Sequence, residues 1–399
     1  MKWTYMVKKL LFSNFYSYLN KTEVSFEMGK KPSSSLYDIS ITNEERLNKV
    51  IAVIGANGSG KTQLLRPFAF LSWFITHSYN ELKPEDLIPF QPHAMHKDKR
   101  SQFELHFIID DTVYKYLLSI QNNEVAYEAL YKKTSKQFSY IFVREKDENE
   151  YSVKQQGFGM SANVARKIRG NASLLSAAYM NDVEKSIRFK HYFSSYSFNV
   201  TVSGRENYNE NALIESAKYF QENQLLYTKM NEIICNLDLG LTSVSIEKVP
   251  IDTADGGVKT IFLPFGIHKT EDKEFKLSFF EESSGTKSVF VLLKRILTVL
   301  EYGGLAVIDE IDNDLHPHML PVILDLFKFK HTNPKHAQII FTCHTPEVLN
   351  ILRKHQIYLV EKNGLVSEAW RLDSMVGLRV DDNLYAKYQA GSLGGVPDV

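Results

Sequence analysis

The chain has 399 residues, of which 44% are hydrophobic, so it can bury the core of one large domain or of a domain with an insertion. Lysine plus arginine and aspartate plus glutamate number 47 each, which excludes a global positive field and leaves only local patches for DNA contact. The two distant cysteines, Cys235 and Cys343, exclude a disulfide framework and a zinc site of paired cysteines. Without a signal peptide or an apolar stretch of about 20 residues, we expect a cytoplasmic protein with no membrane partner.

The first eighty residues are predicted to form strands and then a helix. Mixed aromatic and β-branched residues from Leu10 to Phe26 predict strands that open a sheet. Val50 to Ile54 is a continuous apolar run before Gly55, which indicates a central strand buried on both faces. A helix from Leu64 to His77 follows, and we expect Pro67 to kink it or to shift its start.

The middle of the chain changes from strands to helices. Strands of an antiparallel layer are predicted at Phe103 to Ile109, Thr112 to Ile120 and Tyr140 to Val143. From about Ser161 to Asp238 the pattern becomes helical, with too few heptads for a long coiled coil, and we interpret this segment as an inserted helical lid. The basic residues of its first part are Arg166, Lys167, Arg169, Lys185, Arg188 and Lys190.

The last part of the chain alternates strands and helices, which is typical of a parallel α/β sheet. In chain order we predict strands near Leu241 to Lys248 and Thr260 to Pro264, a helix from Thr286 to Leu300, a strand from Leu305 to Ile308, a helix from about Met319 to Phe327, and a strand from Gln338 to Cys343. The sequence therefore predicts an α/β fold in three segments: residues 1–155 and 241–399 as the two parts of a core, and residues 156–240 as the helical insertion.

A glycine-rich motif joins the predicted central strand to the first helix. Gly55-Ala-Asn-Gly-Ser-Gly-Lys-Thr62 matches the G-x-x-x-x-G-K-[ST] pattern in the strand-to-helix context that a P-loop requires. We expect Lys61 to reach the β- and γ-phosphates of ATP and the Thr62 hydroxyl to ligate Mg²⁺. The alternative is a glycine turn before a helix. The predicted nucleotide-binding residues of the motif are Gly55, Asn57, Gly58, Ser59, Gly60, Lys61, Thr62 and Gln63.

Two carboxylates follow the predicted strand from Leu305 to Ile308. We predict that Asp309 holds the Mg²⁺ shell and that Glu310 is the general base that activates water. Acidic residues at the end of a strand are common in α/β proteins, so this interpretation depends on the P-loop.

Two further segments are candidates for phosphate contacts. His344 ends the strand from Gln338 to Cys343, where a neutral imidazole suits a hydrogen bond to a γ-phosphate or to the attacking water. Ser283-Ser-Gly-Thr286 begins a predicted helix with free N–H groups, and forms either a second phosphate contact or a plain helix cap.

The order of these motifs resembles the ABC-type ATPases of the overcoming-lysogenization-defect group and the related AAA-named ATPase subunits of bacterial abortive-infection and anti-phage systems. The opening Phe12-Ser-Asn-Phe15 and the tail from Tyr388 to Pro397, with its Gly-x-x-Gly-x-x-Pro pattern, add to the resemblance. It implies an ABC-type P-loop core with an N-terminal antiparallel β layer.

The resemblance also implies an ATP-dependent homodimer or higher oligomer. Ser284 and Gly285 would contact the ATP that Lys61 of a second copy holds, Asp312 to Pro317 would link the two sites, and His344 would be the switch histidine. Gln91, in Phe-Gln-Pro, would be the glutamine-loop ligand of Mg²⁺, with an ordinary loop glutamine as the alternative. The absence of Leu-Ser-Gly-Gly-Gln counts against membrane transport.

Our leading hypothesis is an ATP-hydrolysing sensor subunit of a defence system that controls a separate effector. No cluster of nuclease-type ligands follows the tail, so we expect the effector, a nuclease or a toxin, on another polypeptide. One alternative is a DNA-repair ATPase of the RecF or SMC type, which would use the basic residues of the insertion to bind DNA. Another is a non-catalytic scaffold that ATP stabilises.

Overall fold

The computed structural model describes residues 4–396 except 30–31, 33, 43, 149, 207–208, 238, 253–256 and 314. Asp238 at the end of the predicted helical stretch, Asp314 within the Asp312 to Pro317 segment and Pro397 of the tail pattern are among the residues that lie outside this description.

The strands of the described residues are β1 (Tyr5–Ser13), β2 (Thr22–Ser25), β3 (Glu27–Met28), β4 (Asp38–Ser40), β5 (Arg46–Asn48), β6 (Val50–Gly55), β7 (Ser101–Ile109), β8 (Thr112–Gln121), β9 (Glu124–Lys133), β10 (Phe138–Asp147), β11 (Glu150–Gln155), β12 (Ser197–Phe198), β13 (Val200–Thr201), β14 (Gly204–Arg205), β15 (Ser243–Asp252), β16 (Val258–Lys269), β17 (Glu274–Ser278), β18 (Leu305–Ile308), β19 (Gln338–Thr342), β20 (Ile357–Asn363) and β21 (Val366–Arg371). The α-helices are α1 (Lys61–Glu81), α2 (Ala162–Arg166), α3 (Leu174–Met180), α4 (Glu184–Ser194), α5 (Glu210–Glu222), α6 (Gln224–Cys235), α7 (Ser284–Tyr302), α8 (Met319–Asp325) and α9 (Leu384–Gln389). Short 3₁₀ helices span Pro346–Asn350, Lys354–Gln356 and Leu372–Ser374.

A six-stranded sheet in the order β12-β18-β19-β6-β20-β21 forms the centre of the fold. Its neighbouring strands run parallel except β20 and β21, which pair antiparallel. Every residue of β6 and β18 is buried, as their continuous apolar sequences predict. This sheet confirms the predicted α/β core, and it places the carboxyl ends of β6, β18 and β19 side by side, where ligands of such sheets bind.

A seven-stranded antiparallel sheet in the order β11-β10-β9-β8-β7-β1-β2 confirms the predicted β layer. Phe15, Phe70 and Phe103 contribute to the aromatic core that joins this sheet to α1, with ring centroids 5.2 to 6.1 Å apart. Strands β9 and β11 of this sheet were not predicted. Charged or polar residues occupy alternate, exposed positions of β11, and both strands lack a continuous apolar run.

Helix α1 is longer than predicted. It begins at Lys61 rather than Leu64, because Gly60 takes a left-handed conformation that starts the helix. Pro67 lies inside the helix, where it has no amide hydrogen to donate to the Gln63 carbonyl. Neither α1 nor any other helix of the described residues is long and apolar enough to cross a membrane.

The inserted segment contains the predicted helices, but it also contains three strands that were not predicted. Helices α3 and α4 pack on α1, and α5 and α6 pack on α7. Between them, β12 joins the edge of the central sheet beside β18, and β13 and β14 form a hairpin. Two-residue strands have no detectable periodicity, so the helical prediction was wrong at this point.

Candidate functional site

The loop between β6 and α1 requires glycine at specific positions. A Cβ atom on Gly55 would collide with the carbonyl oxygen of Val360 on β20. Gly58 and Gly60 have φ angles of 76° and 111°, in the left-handed region that favours glycine. The buried Ser59 hydroxyl has no hydrogen-bond partner among the described residues, so an oxygen-rich ligand in the loop would satisfy it.

Lys61 lies at the start of α1 with its ammonium group inside the loop. Its Nζ donates to the carbonyl oxygens of Gly55 at 2.8 Å and Ala56 at 3.0 Å. Burial lowers the pKa of Lys61, while the carboxylates of Asp309 and Glu310 oppose this shift. A buried ammonium that pairs only with carbonyl oxygens retains a strong electrostatic attraction for an anion.

Asp309 joins the P-loop helix to the central sheet. The Thr62 hydroxyl donates to Asp309 Oδ2 at 2.7 Å, and the Thr342 hydroxyl donates to Asp309 Oδ1 at 2.6 Å. Thr342 Oγ1 also accepts from the backbone amide of Glu310 at 2.6 Å. A hydroxyl and a carboxylate in contact are hard oxygen donors of the kind that Mg²⁺ prefers, so these residues fit the predicted metal.

Glu310 has a φ angle of 49°, a left-handed conformation that costs free energy for a residue with a side chain. Its Oε1 lies 3.5 Å from Nε2 of His344, and its Oε2 forms an ion pair with Arg205 of β14. The structure therefore brings Glu310 and His344 together, as the topological rule predicted. It also adds an arginine that the sequence analysis missed.

Asp312 fixes the loop that carries His344. Its Oδ2 accepts from the amides of His344 at 2.9 Å and Thr345 at 2.8 Å, and from the Thr345 hydroxyl at 2.5 Å. Asp312 therefore couples the segment after Glu310 to the segment after β19.

Asn199, directly after β12, is the second residue that the sequence analysis missed. Its Oδ1 accepts from the Asp309 amide at 2.6 Å, and its Nδ2 donates to the Asp309 carbonyl at 2.8 Å. The side chain thus holds the backbone of Asp309 from the edge of the sheet. The only sequence signal would have been recognition of the two-residue strand before it.

Gln91 and Gln63 make their described contacts outside the nucleotide cluster, which consists of Lys61, Thr62, Asp309, Glu310 and His344. The backbone carbonyl of Gln91 accepts from the amide of Tyr16 at 2.9 Å, and no described hydrogen bond joins Gln91 to Thr62 or Asp309. The Gln63 side chain accepts from the Ser17 amide at 3.0 Å. Asn57 is exposed at the tip of the loop.

Ser284 and Gly285 lie in the first turn of α7. The preceding Ser283 caps this helix, since its side chain accepts from the Thr286 amide at 3.1 Å. Ser284 is exposed, and no described hydrogen bond joins Ser284 or Gly285 to the P-loop or to Asp309. The structure therefore does not bring this pair to the nucleotide cluster of the same chain.

Residues 50–350 match the sequence family described as "AAA domain, putative AbiEii toxin, Type IV TA system". No curated protein sequence matches the chain. Similar solved structures include an SMC head bound to the C-winged helix domain of ScpA, with 14% identity, a TM-score of 0.48, and coverage of 92% of this chain and 98% of that chain. The SMC head domain from Thermotoga maritima is 14% identical, with a TM-score of 0.42 and coverage of 93% and 99%. A third structure is an Smc head domain with an extended coiled coil bound to the C-terminal domain of ScpA derived from Pyrococcus furiosus, with 12% identity, a TM-score of 0.46, and coverage of 93% and 97%.

The family match includes the P-loop, the Asp309–Glu310 pair and His344, which are the residues that meet at the carboxyl ends of β6, β18 and β19. It covers residues 50–350, which is most of the chain. The chain therefore belongs to this AAA-domain family, and it is an ATP-binding P-loop ATPase with a mixed α/β core.

Proposed function

We propose that the chain binds MgATP between the P-loop and β18 and hydrolyses it. The observation that carries this proposal is the hydrogen bond from Thr62 to Asp309, which puts a P-loop hydroxyl and a buried carboxylate in one place. Thr62 and Asp309 would hold Mg²⁺, which would neutralise phosphate charge, and Lys61 would pair with the β- and γ-phosphates.

Glu310 is the general base of this proposal. A water oxygen bonds to the γ-phosphorus, the bond to the bridging oxygen breaks, ADP leaves, and Glu310 takes the proton of the water. The position of His344, 3.5 Å from Glu310, suits a group that orients the water or contacts the γ-phosphate. Phosphoryl transfer depends mainly on such positioning and on charge stabilisation.

The active form is a nucleotide-sandwich oligomer in which Ser284 and Gly285 of one copy complete the site of another. This arrangement is supported by the exposed start of α7, which makes no described hydrogen bond to the site of its own chain. Backbone N–H groups at a helix start suit a second contact with phosphate. The division into residues 1–155, 156–240 and 241–399 belongs to the same proposal, with the insertion as the surface that receives a signal.

The biological role that we propose is the control of a separate nuclease or toxin in an anti-phage defence system. Support comes from the description of the family, which names a toxin and a toxin–antitoxin system. ATP-dependent association would then report a signal to the effector.

The test is the mass of the purified chain with and without MgATP, measured together with phosphate release, for the wild type and for Glu310→Gln. We expect Glu310→Gln to bind ATP, to form a lasting oligomer and to release phosphate about 10²- to 10⁴-fold more slowly. The exposed Glu281→Gln serves as the control and should behave as the wild type. Normal hydrolysis by Glu310→Gln would show that Glu310 is not the general base. Slow turnover by the wild type, with a high mass that does not change with MgATP, would favour the non-catalytic scaffold.

The DNA-repair alternative depends on the basic residues of the insertion, and most of these side chains already have intramolecular contacts. Arg169 donates to the carbonyls of Ser78 and Leu82 at the end of α1, and Arg188 lies 3.8 Å from Asp110. Lys190 stacks over the ring of Tyr179 at 3.5 Å. Duplex binding that weakens steeply with salt would nevertheless favour this alternative.

A further inference from the structure

Arg205 is placed at the end of the β13–β14 hairpin, directly against the proposed general base. Its Nη1 forms an ion pair with Glu310 Oε2, and the two side chains are 21% and 31% exposed. Both groups are partly removed from water, where an arginine–carboxylate pair is stronger than on an open surface. No motif in the sequence marks this arginine, since its position is set by the hairpin.

The hairpin is attached to the P-loop helix. Arg66, one turn after Thr62, donates from Nη2 to the Ser203 carbonyl at 3.2 Å and stacks over the ring of Tyr16. The Tyr16 hydroxyl donates to the Val202 carbonyl at 2.7 Å. Arg66 of α1 and Tyr16 after β1 thus hold the turn of the hairpin beside α1.

The hairpin is also attached to β18. Asn199, at its base, holds both backbone groups of Asp309, and the Glu206 amide donates to the Asn199 carbonyl at 2.8 Å. The hairpin that carries Arg205 therefore contacts both α1 and the end of β18, the two elements that carry most of the nucleotide cluster. A guanidinium group held from both sides has a defined position relative to that cluster.

The ion pair restricts what Glu310 can do. The Oε2 atom that accepts from the guanidinium group cannot at the same time accept from a water in that direction. A general base lies about 3 Å from its water, and that water about 3 to 3.5 Å from the reacting phosphorus. Rotation about the side-chain torsions of Arg205 can move its guanidinium group by about 3 to 3.5 Å, the distance that separates such a water from the phosphorus.

Arg205 has open space beside it and an unused hydrogen-bond donor. Arg205 and Glu310 both line a cleft of about 640 Å³, to which Ser288 and Asn313 also contribute. Arg205 Nε has no hydrogen-bond partner among the described residues, so this donor remains available for an acceptor. A terminal phosphate offers several oxygens, and the planar guanidinium group matches two of them better than an ammonium group does.

We propose that Arg205 exchanges Glu310 for the γ-phosphate of bound ATP. This exchange places a positive charge on the phosphate, and it frees the Glu310 carboxylate to accept from the attacking water. Arg205 is thus a catalytic residue that acts within its own chain and distinguishes ATP from ADP. This inference rests on the proposed ATP site.

The test compares the affinities of the full chain for ADP and for AMP-PNP, a non-hydrolysable ATP analogue, both with Mg²⁺. In Arg205→Ala we expect the affinity for AMP-PNP to fall about tenfold or more, the affinity for ADP to change less than about twofold, and kcat to fall about 10²-fold or more. In Arg205→Lys, which keeps the positive charge but not the planar set of donors, the AMP-PNP affinity and kcat should lie between those of the wild type and those of Arg205→Ala. Exposed Arg100→Ala is the matched control.

A double variant separates direct phosphate contact from an effect through Glu310. In the Glu310→Gln background, Arg205→Ala should still weaken AMP-PNP binding about tenfold, because the contact is with phosphate. Unchanged AMP-PNP affinity in either background, or faster hydrolysis by Arg205→Ala, would overturn the proposal and leave Arg205 as a restraint on Glu310. Failure of the wild type to bind either nucleotide would refute the ATP site itself, and equal melting temperatures of the variants verify that Arg205→Ala is folded.

Discussion

Two segments hold the Asp309–Glu310 pair from opposite directions, and they hold different parts of it. The P-loop helix reaches the Asp309 carboxylate through the hydroxyl of Thr62. The β12–β14 segment reaches the Asp309 backbone through Asn199 and the Glu310 carboxylate through Arg205. The first contact involves atoms that would coordinate Mg²⁺, whereas the contacts of Asn199 use backbone groups that no metal requires.

This difference indicates that the two sets of contacts have different roles in the ATP cycle. Contacts to the carboxylates must rearrange when MgATP binds, because the same oxygens serve as ligands or as a base. Contacts to the backbone of Asp309 can persist through the cycle and keep the strand end in place. Substitutions on the P-loop side should therefore impair binding of ATP and ADP alike. Substitutions on the hairpin side should mainly impair turnover, and where they weaken binding, as in Arg205→Ala, the loss should be confined to nucleotides that carry a γ-phosphate.

The largest effect is expected for Lys61→Ala on the P-loop side. Loss of the buried cation that faces phosphate should reduce the affinity for MgATP about 10²- to 10³-fold, measured by titration calorimetry. Lys49→Ala is the matched control, because Lys49 is also buried, donates to the Lys328 carbonyl at 2.8 Å, and has a pKa that burial lowers to about 8. Equal losses of affinity in both variants would mean that the effect is structural.

Two glycines of the P-loop offer a comparison within the same segment. Gly60→Ala should lower the free energy of unfolding by about 2 to 4 kcal/mol, since φ is 111° and the new Cβ would lie 2.5 Å from the Ser367 hydroxyl. Gly58→Ala meets no atom within 4 Å and should cost only about 1 to 2 kcal/mol for its φ of 76°. Chemical denaturation measures both, and equal costs would show that backbone strain alone decides the requirement for glycine.

On the hairpin side, Asn199→Ala should reduce kcat about 10- to 100-fold with a smaller effect on ATP affinity, because Asp309 loses its backbone support. Steady-state phosphate release at several ATP concentrations separates the two parameters. Asn333→Ala is the matched control, since this buried asparagine also holds both backbone groups of one residue, Ala337, which lies directly before the amino end of β19 and not at the carboxyl ends of the strands. A fall in ATP affinity as large as that of Lys61→Ala would contradict the division between the two segments.

The same two segments differ in how far the sequence predicts them. The P-loop and the Asp309–Glu310 pair were found because phosphate binding requires fixed local spacing after a buried strand, and β6 and β18 are continuous apolar runs. The α/β core and the antiparallel layer followed from the same periodicities. Asn199 and Arg205 act through contacts with residues more than 100 positions away. Asn199 directly follows a strand of two residues and Arg205 ends another, and no local pattern encodes such pairing.

Gln91 shows where a prediction rests on resemblance and not on a local pattern. A glutamine in a loop after the first helix was assigned to Mg²⁺ by resemblance alone, and this role stays a prediction, since the described contact of Gln91 is the one between its backbone carbonyl and the Tyr16 amide. The side chain that reaches Asp309 from the sheet edge is Asn199. The spacing between the P-loop and Gln91 depends on the length of α1 and of the loop that follows it, so it cannot be transferred from related sequences.

The smallest effect is expected where the two segments touch each other. Arg66→Ala removes the contacts from α1 to the Ser203 carbonyl and to the ring of Tyr16, so the turn of the hairpin should loosen while Asn199 still holds its base. We expect kcat to fall about three- to tenfold, ADP affinity to stay unchanged, and hydrogen exchange of residues 200–205 to rise. Tyr16→Phe, which keeps the ring and loses the hydroxyl that donates to the Val202 carbonyl, should show less of each change. Faster exchange without any loss of kcat would mean that Arg205 does not need a rigid hairpin, and that the attachment to β18 alone positions it.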